Sequence, residues 1–378
     1  WNKQLAKNES TTLQVYYDVT DNDYIELHQT HHTFDIDFQH ILPFTENQNL
    51  TWGTGYRLIN SRNRGSFAIT PTLKQEESNL FNLFVQDEIT LIDEELVFTL
   101  GSKFEHNDFS GFEIQPSARL IWTPTTQQSI WVSISRAVRT SSLAEQGGVI
   151  NQRIIAPSAS VPLPTTISLT GGIGRASEKL IAYELGYRIK PIDSLSFDLT
   201  AFYNVYNNLR NFQPGTPFLD DSGTHFVQPI FLHTDMSGET YGAELTLTWH
   251  IMNKLHINAN YSYLQMQLHA ENGDSNFPEN AERQSPHHKF SVLSTLNVLP
   301  NLDWNLWFRY VDSIPDFTIP SYFTLDSRLA WKPIQSIQLS VVAQNLLDNQ
   351  HPEFGNDITL SRSSQVERGV YGKVEWNF

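Results

Sequence analysis

Residues suited to capturing a charged ligand crowd one stretch of this 378-residue chain. Asn207, Asn208, Leu209, Arg210, Asn211 and Phe212 are followed by Phe218, His225, Phe226 and Phe231, so one guanidinium sits among several aromatic rings. A cation attracts an anionic chelate, and ring faces stack on its flat parts or hold a cation. Arg136 and Arg139, at what reads as a strand end, add positive charge of the same kind. The plainer alternative is that the aromatics pack their own loop and the arginines pair with acidic neighbours. Covalent chemistry is not offered: there is no G-x-S-x-G, Walker loop or H-E-x-x-H, and an enzyme is not expected.

Metal chemistry is offered more weakly. The adjacent pairs His31-His32 and His287-His288 cannot readily chelate one ion, because neighbours on a strand point to opposite faces. His28, His31 and His32 together are the remaining zinc or haem arrangement. Asp220, Asp221, Glu271 and Asp274 are the remaining calcium arrangement, with solvated acidic loops as the plainer role. The absence of Cys excludes disulfides and thiolate metal sites, and no metal or cofactor is expected. A net charge of −16 opposes nucleic-acid binding, whose phosphates need a basic surface.

The elements that position these residues are strands. In residues 195–206, Leu195, Phe197, Leu199, Ala201, Tyr203 and Val205 alternate with a set including Ser196, Asp198, Thr200 and Asn204. Residues 255–267, 302–310 and 322–331 repeat the pattern. At the C-terminus Val370, Gly372, Val374, Trp376 and Phe378 share one face, and Tyr371, Lys373, Glu375 and Asn377 the other. No apolar run approaches the roughly 18 residues of a membrane helix. The mean hydropathy of −0.35 still suits a membrane barrel, whose strands show lipid only every second residue.

Connection lengths sort by side. Short ones at 43–47, 92–94, 123–127, 190–193, 251–253, 299–301 and 332–335 alternate with mostly long ones at 62–77, 140–178, 208–237, 269–285 and 347–365. Short turns on one side and long loops on the other mark an outer-membrane barrel with periplasmic turns and extracellular loops. The pattern therefore predicts an all-β, transmembrane antiparallel up-and-down β-barrel of about 16 strands. Its interior is polar, so Glu184, Arg188, Asp198, Glu244, Arg309, Arg328, Lys373 and Glu375 are expected to face the lumen. Tyr183, Tyr187, Trp249, Tyr261, Tyr263, Trp304, Trp331 and Trp376 are expected to face lipid. Lipopolysaccharide and outer-membrane lipid follow as partners, with loop carboxylates as bridging points.

Several segments resemble TonB-dependent outer-membrane receptors. They are Phe84-Val85-Gln86-Asp87-Glu88, Arg136-Ala137-Val138-Arg139-Thr140-Ser141-Ser142-Leu143, Tyr183-Glu184-Leu185-Gly186, Gly238-Glu239-Thr240-Tyr241-Gly242-Ala243-Glu244-Leu245, Ser285-Pro286-His287-His288-Lys289-Phe290 and Asn345-Leu346-Leu347-Asp348. Ser141 departs from the Pro common in the family at that point. The resemblance implies a 22-strand barrel closed by an N-terminal plug. Neither plug nor energy-coupling segment is in this sequence, so Trp1 is expected to lie inside the barrel of a longer protein. Residues 1–378 then form one partial barrel domain.

The resemblance also implies active uptake of a scarce nutrient, most often a ferric siderophore, across the bacterial outer membrane. A TonB-type energy-coupling protein would be a partner. Ligand contacts are then expected from Arg136, Arg139, Arg210, Phe212, Phe218, Phe226 and Phe231. Val370, Val374, Trp376 and Phe378 would form the signal read by the barrel-assembly machinery. A stand-alone passive porin is the alternative, and a barrel-embedded lipase or protease a third reading.

Overall fold

The computed structural model describes residues 1–72, 74–172, 176–270, 277–355 and 364–378. The described residues form a 21-stranded sheet and a separate two-stranded one, Gln350–His351 with Val366–Glu367. Four strands of the large sheet, Ile69–Pro71, Gly148–Ile155, Thr165–Thr170 and Phe218–Leu219, belong to loops. The other seventeen form a wall in which each strand pairs antiparallel with the next in the chain. That is one more than the alternation suggests; the five-residue strand Asn2–Ala6 is too short to show a pattern. Among the described residues Asn2–Ala6 and Gly369–Trp376, the outermost wall strands, are each paired on one side only.

The register explains the alternation. Ile92, Leu96, Trp122, Ile130, Tyr187, Leu199, Leu245, Tyr261, Phe290, Tyr310 and Phe323 are successive cross-strand partners, one from each of eleven neighbouring strands. One residue along, Ser129, Arg188, Asp198, Thr246, Asn260, Ser291, Arg309 and Thr324 form a polar row by the same pairings. Successive side chains point to opposite faces, so one face of the wall is an apolar belt and the other a polar lining. Most of the apolar row is exposed to the surroundings, including Trp122, Leu199, Leu245, Tyr261, Phe290 and Phe323. That is stable in hydrocarbon and not in water.

The polar lining also holds aromatics. Trp131 lies over Gly186, where an added Cβ would meet its Nε1 at 2.0 Å, and the Arg119 guanidinium stacks 4.8 Å from its ring. Glycine is needed there because only a bare backbone admits the indole.

Tight turns join the wall at one end, at residues 7–8, 46–47, 93–95, 126–127, 193–194, 253–254, 300–301 and 335–336. Asn8 and Glu94 take the left-handed conformation that such turns require. The opposite end carries the long connections, with two departures from the expected sorting: residues 24–26 and 108–110 are tight there as well. Strands project beyond the belt on this side. Phe226–Met252 has 27 residues, far more than the roughly 9–11 that cross a bilayer.

The projecting parts knit together. Ile69–Pro71 pairs with Gly148–Ile155, which pairs with Thr165–Thr170, which runs parallel to Phe226–Phe231 of the long strand. Four wall strands separate the two anchoring hairpins, so this chain of loop strands forms a chord joining distant parts of the wall. It packs on the polar side. Gln29 and Asn63, in register with each other on the face that carries the Arg57–Asp35 ion pair, line a small cavity with Ile69, Leu143, Ala144 and Ile150. No helix among the described residues is long and apolar enough to cross a membrane.

Candidate functional site

The chord is fastened by charge. Residues 140–172 enter it through a five-residue helix, Leu143–Gly147, whose Glu145 carboxylate accepts the Ser142 N–H at 2.7 Å. Ser-x-x-Glu is the spacing that lets a glutamate reach back to the start of its own helix. The same carboxylate accepts from Arg139 at 3.1 Å and from Arg210 at 2.6 Å. Glu178 completes the group, 3.6 Å from Arg139 and 3.3 Å from Arg210. Three adjacent wall strands supply these partners: Arg139 ends Gln128–Arg139, Glu178 begins Glu178–Ile192 in register with it, and Arg210 lies in Leu195–Pro214.

Two cations and two anions thus alternate around a closed ring. The Arg210 side chain is 14% exposed and the Arg139 side chain 54%, so the first is a buried anchor and the second meets solvent. Glu178 stands above the lipid belt. Burial pushes its carboxyl above the ordinary range, Arg139 pulls it back, and Glu145 adds to the rise.

Arg136 sits apart from this ring. The ladder between Gly111–Thr125 and Gln128–Arg139 stops at Ser117 opposite Ser135, and Arg136 is the next residue. Its guanidinium donates to the Ile114 carbonyl and to Glu113 at 2.9 Å, bridging the two strands where their backbones part. Each of the three arginines singled out in the sequence therefore has a carboxylate partner.

The aromatics are divided between two faces. Phe218 opposes Val227 and shares a face with Phe231, whereas Phe226 opposes Leu219 and shares the other face with Ile230. Phe212 opposes Leu232, on the Phe226 side of the sheet. Phe231 packs over Gly215, where an added Cβ would lie 2.4 Å from its ring. Phe218 and Phe231 are both exposed. His225 makes an edge contact with Phe67, across from the connection at residues 66–68, with ring centres 6.5 Å apart.

Asp220 shapes the loop tip. Its carboxylate accepts the N–H groups of Ser222 at 3.0 Å, Thr224 at 2.9 Å and His225 at 2.9 Å, together with the Ser222 hydroxyl. The hydroxyl and the backbone donors hold its carboxyl far below the usual range. Glu271 and Asp274, the other acidic candidates, lie outside the described residues.

The three histidines diverge. His28 faces Asp23 at 3.1 Å, His31 bonds Ser61 at 2.9 Å, and His32 bonds the Tyr17 hydroxyl at 2.6 Å. Among the described residues no group of three or more His, Asp or Glu is arranged to hold a metal.

Lower on the lining, charges are met one by one. Arg188 pairs with Asp198, Arg309 with Asp326 at 2.7 Å, Arg328 donates to Asn305 at 3.2 Å, and Glu184 accepts from Ser133 at 2.8 Å. Glu244 lines a shallow cleft with Lys289 and Arg309. Trp307, on the same face, lies 4.1 Å from the Arg309 guanidinium. The terminal strand turns Val370, Val374 and Trp376 outward, opposite Ala343, Leu339 and Ile337, with Phe378 fully exposed beyond them.

Sequence reasoning passed over Glu145, Glu178, Glu113 and Trp307. For Glu145 a signal exists, the Ser142-x-x-Glu145 spacing. Glu178 and Glu113 become visible only once the strands are in register.

Comparison with known proteins agrees with this architecture. The family described as TonB dependent receptor-like, beta-barrel matches residues 2–346. An iron-regulated outer membrane virulence protein of Vibrio cholerae serotype O1 is 22% identical over 295 residues, covering 72% of this chain and 41% of the relative. The siderophore receptor PirA from Pseudomonas aeruginosa superposes with a TM-score of 0.74 at 15% identity, over 99% of this chain and 62% of PirA. The ferric enterobactin receptor PfeA of the same organism, as a mutant in complex with enterobactin, gives 0.76 at 16%, over 98% and 60%. The chain thus spans less than half of that curated relative and about three-fifths of those structures.

Proposed function

Because this chain belongs to the TonB-dependent receptor β-barrel family of the bacterial outer membrane, we propose that it forms most of the barrel wall of an active importer of a ferric siderophore or similar metal chelate. The observation that carries the reading is the chord of loop strands on the polar side of the wall, fastened by the Arg139–Glu145–Glu178–Arg210 ring. A passive pore has no need of a braced, aromatic-bearing cover; a receptor that captures its ligand before moving it does.

Within that cover the residues divide by exposure. Arg139, with its half-exposed guanidinium, attracts the anionic chelate, and Phe218 and Phe231 offer ring faces on one side of the loop sheet. Arg210, Phe212 and Phe226 hold the sheet in shape, and Arg136 holds the strand ends. A TonB-type protein supplies energy through a part of the receptor other than this barrel segment. The exposed terminal face, Val370, Val374, Trp376 and Phe378, is the assembly signal.

The test is uptake of radioactive ferric chelates, ferric enterobactin among them, by cells carrying the full-length receptor. Arg139→Gln is expected to raise the half-saturating concentration several-fold with little change in maximal rate. Uptake that survives collapse of the proton-motive force would instead support passive diffusion and overturn the proposal.

A further inference from the structure

On the outward face of the strands Glu9–Asp23, Leu27–Thr45, Gln48–Gly65 and Gln75–Ile92, side chains change character in regular steps. Val15, Ile36, Tyr56 and Phe81 form one cross-strand row, wholly within the apolar belt. Tyr17, Phe34, Leu58 and Asn79 form the next row toward the loops, then Val19, His32, Asn60 and Glu77. Above them come Asp21, Thr30, Arg62 and Gln75, and finally Asp23, His28 and Arg64. Rows are two residues apart, about 7 Å, so the surface passes from hydrocarbon-like to charged within the depth of a lipid head group.

A cleft of about 350 Å³ spans this boundary. Phe34 and Leu58 form its apolar part, and Tyr17, His32, Asn60 and Arg62 its polar part. Tyr17 and His32 are already hydrogen-bonded to each other at 2.6 Å, which fixes both. The neighbouring acids Asp21 and Asp23 are engaged by Thr30 at 2.8 Å and His28 at 3.1 Å. Arg62 and Arg64 have no carboxylate within ion-pair distance among the described residues, unlike Arg57, Arg136, Arg139, Arg188, Arg210 and Arg309. Glu77, opposite Asn60, favours an anion seated toward the Arg62 and Arg64 side.

We propose that this cleft binds the phosphorylated head group of an outer-leaflet lipid, with Arg62 and Arg64 on the phosphate and the acyl chains running down past Phe34 and Ile36. Guanidinium and phosphate match in charge and fork geometry. Basic residues at a membrane surface recognise anionic lipid in this way. A free phosphate would leave the apolar part of the cleft unused, and a neutral lipid would leave the guanidiniums unused. The site faces away from the lumen and rests on the barrel architecture alone, so its failure and that of the import reading are separable.

The experiment measures lipid retained by the full-length protein after mild detergent extraction from outer membranes, by native mass spectrometry and phosphorus assay. Arg62→Gln with Arg64→Gln is expected to lower bound phosphorylated lipid roughly tenfold. Heat-modifiable gel migration, which reports the folded barrel, should be unchanged, and Arg62→Lys with Arg64→Lys should retain part of the lipid. Equal retention by the native and Gln proteins would overturn the proposal. So would lipid that stays bound after its phosphates are removed, or a site emptied by excess inorganic phosphate, which would mark it as a free-anion site.

Discussion

The wall and the loop chord solve one problem, how to hold charge beside a lumen, in opposite ways. On the wall, charges that pair across neighbouring strands do so one to one: Arg188 with Asp198, Arg309 with Asp326. The backbone ladder beneath runs without a register shift from Tyr187 opposite Leu199 to Lys179 opposite Asn207, so position does not depend on the pair. Where the chord is fastened the wall ladder is interrupted, with shifts between Tyr206 and Leu209 and between Leu209 and Asn211. There two guanidiniums share two carboxylates, and the loop helix is held by the charges themselves. The lesson is that the same ion pair is decoration on a continuous sheet and a fastening where the sheet breaks.

The sharpest way to break this comparison is Glu145→Gln, which leaves Arg210 with Glu178 alone and weakens the helix start. Removing one partner of a largely buried ion pair costs about 3–5 kcal/mol. That cost should appear as local opening of residues 140–172, not as loss of the barrel. Hydrogen exchange in those amides is expected to rise by two orders of magnitude or more, with heat-modifiable migration intact. Protection equal to that of the native protein would mean that backbone pairing alone holds the chord.

Next in size is deletion of Phe378, which tests the opposite region. Its side chain is fully exposed, with the Trp376 ring 6.1 Å away between centres, so folded-state packing predicts almost no effect. As part of an assembly signal it should lower outer-membrane yield several-fold, well below that of Leu306→Ala in the middle of the belt. Equal yields of the two variants would remove the signal role.

Acidification sharpens the contrast inside the loops. Asp220 is held below its ordinary value of 3.8 by the Ser222 hydroxyl and backbone donors. Its contribution is therefore complete above that value and is lost only as pH falls through the depressed one. Glu178 is shifted the other way by burial. Its shift favours the folded state below the ordinary carboxylate value, and that contribution is lost as pH rises through the raised one. On lowering pH from neutral, Glu178 should take up its proton while the Asp220 turn is still intact. Carboxylate-resolved infrared or NMR titration reads the order directly, and protonation of Asp220 first would reverse the assignment.

These two regions also differ in how far they could be read from sequence. The belt was legible because alternation is local: Leu199, Ala201 and Tyr203 declare their face without knowledge of a partner. The lining was less so, since Trp307 and Trp131 sit on the polar face and are excused only by Arg309, Arg119 and Gly186. In the loops, proximity in sequence misled. Phe218 and Phe226 form one cluster on paper and occupy opposite faces of a strand pair. The parallel pairing of Thr165–Thr170 with Phe226–Phe231 leaves no periodic trace, because its partners are some sixty residues apart. Arg139 and Arg210 were visible as cations, but their role depends on Glu145 and Glu178, which the fold brings to them.

The smallest expected effect closes the comparison from the wall side. Arg188 is as fully charged as Arg210 and contacts Asp198 directly, yet its side chain is 69% exposed and its backbone is fixed by ladders on both sides. Solvent screening and the freedom of both side chains leave such a pair about 0–1 kcal/mol. Arg188→Gln should therefore change thermal stability by no more than that, and should leave hydrogen exchange in residues 178–192 as it was. A loss as large as that of Glu145→Gln would show that the wall too is fastened by its charges, and the distinction between continuous and broken sheet would fall with it.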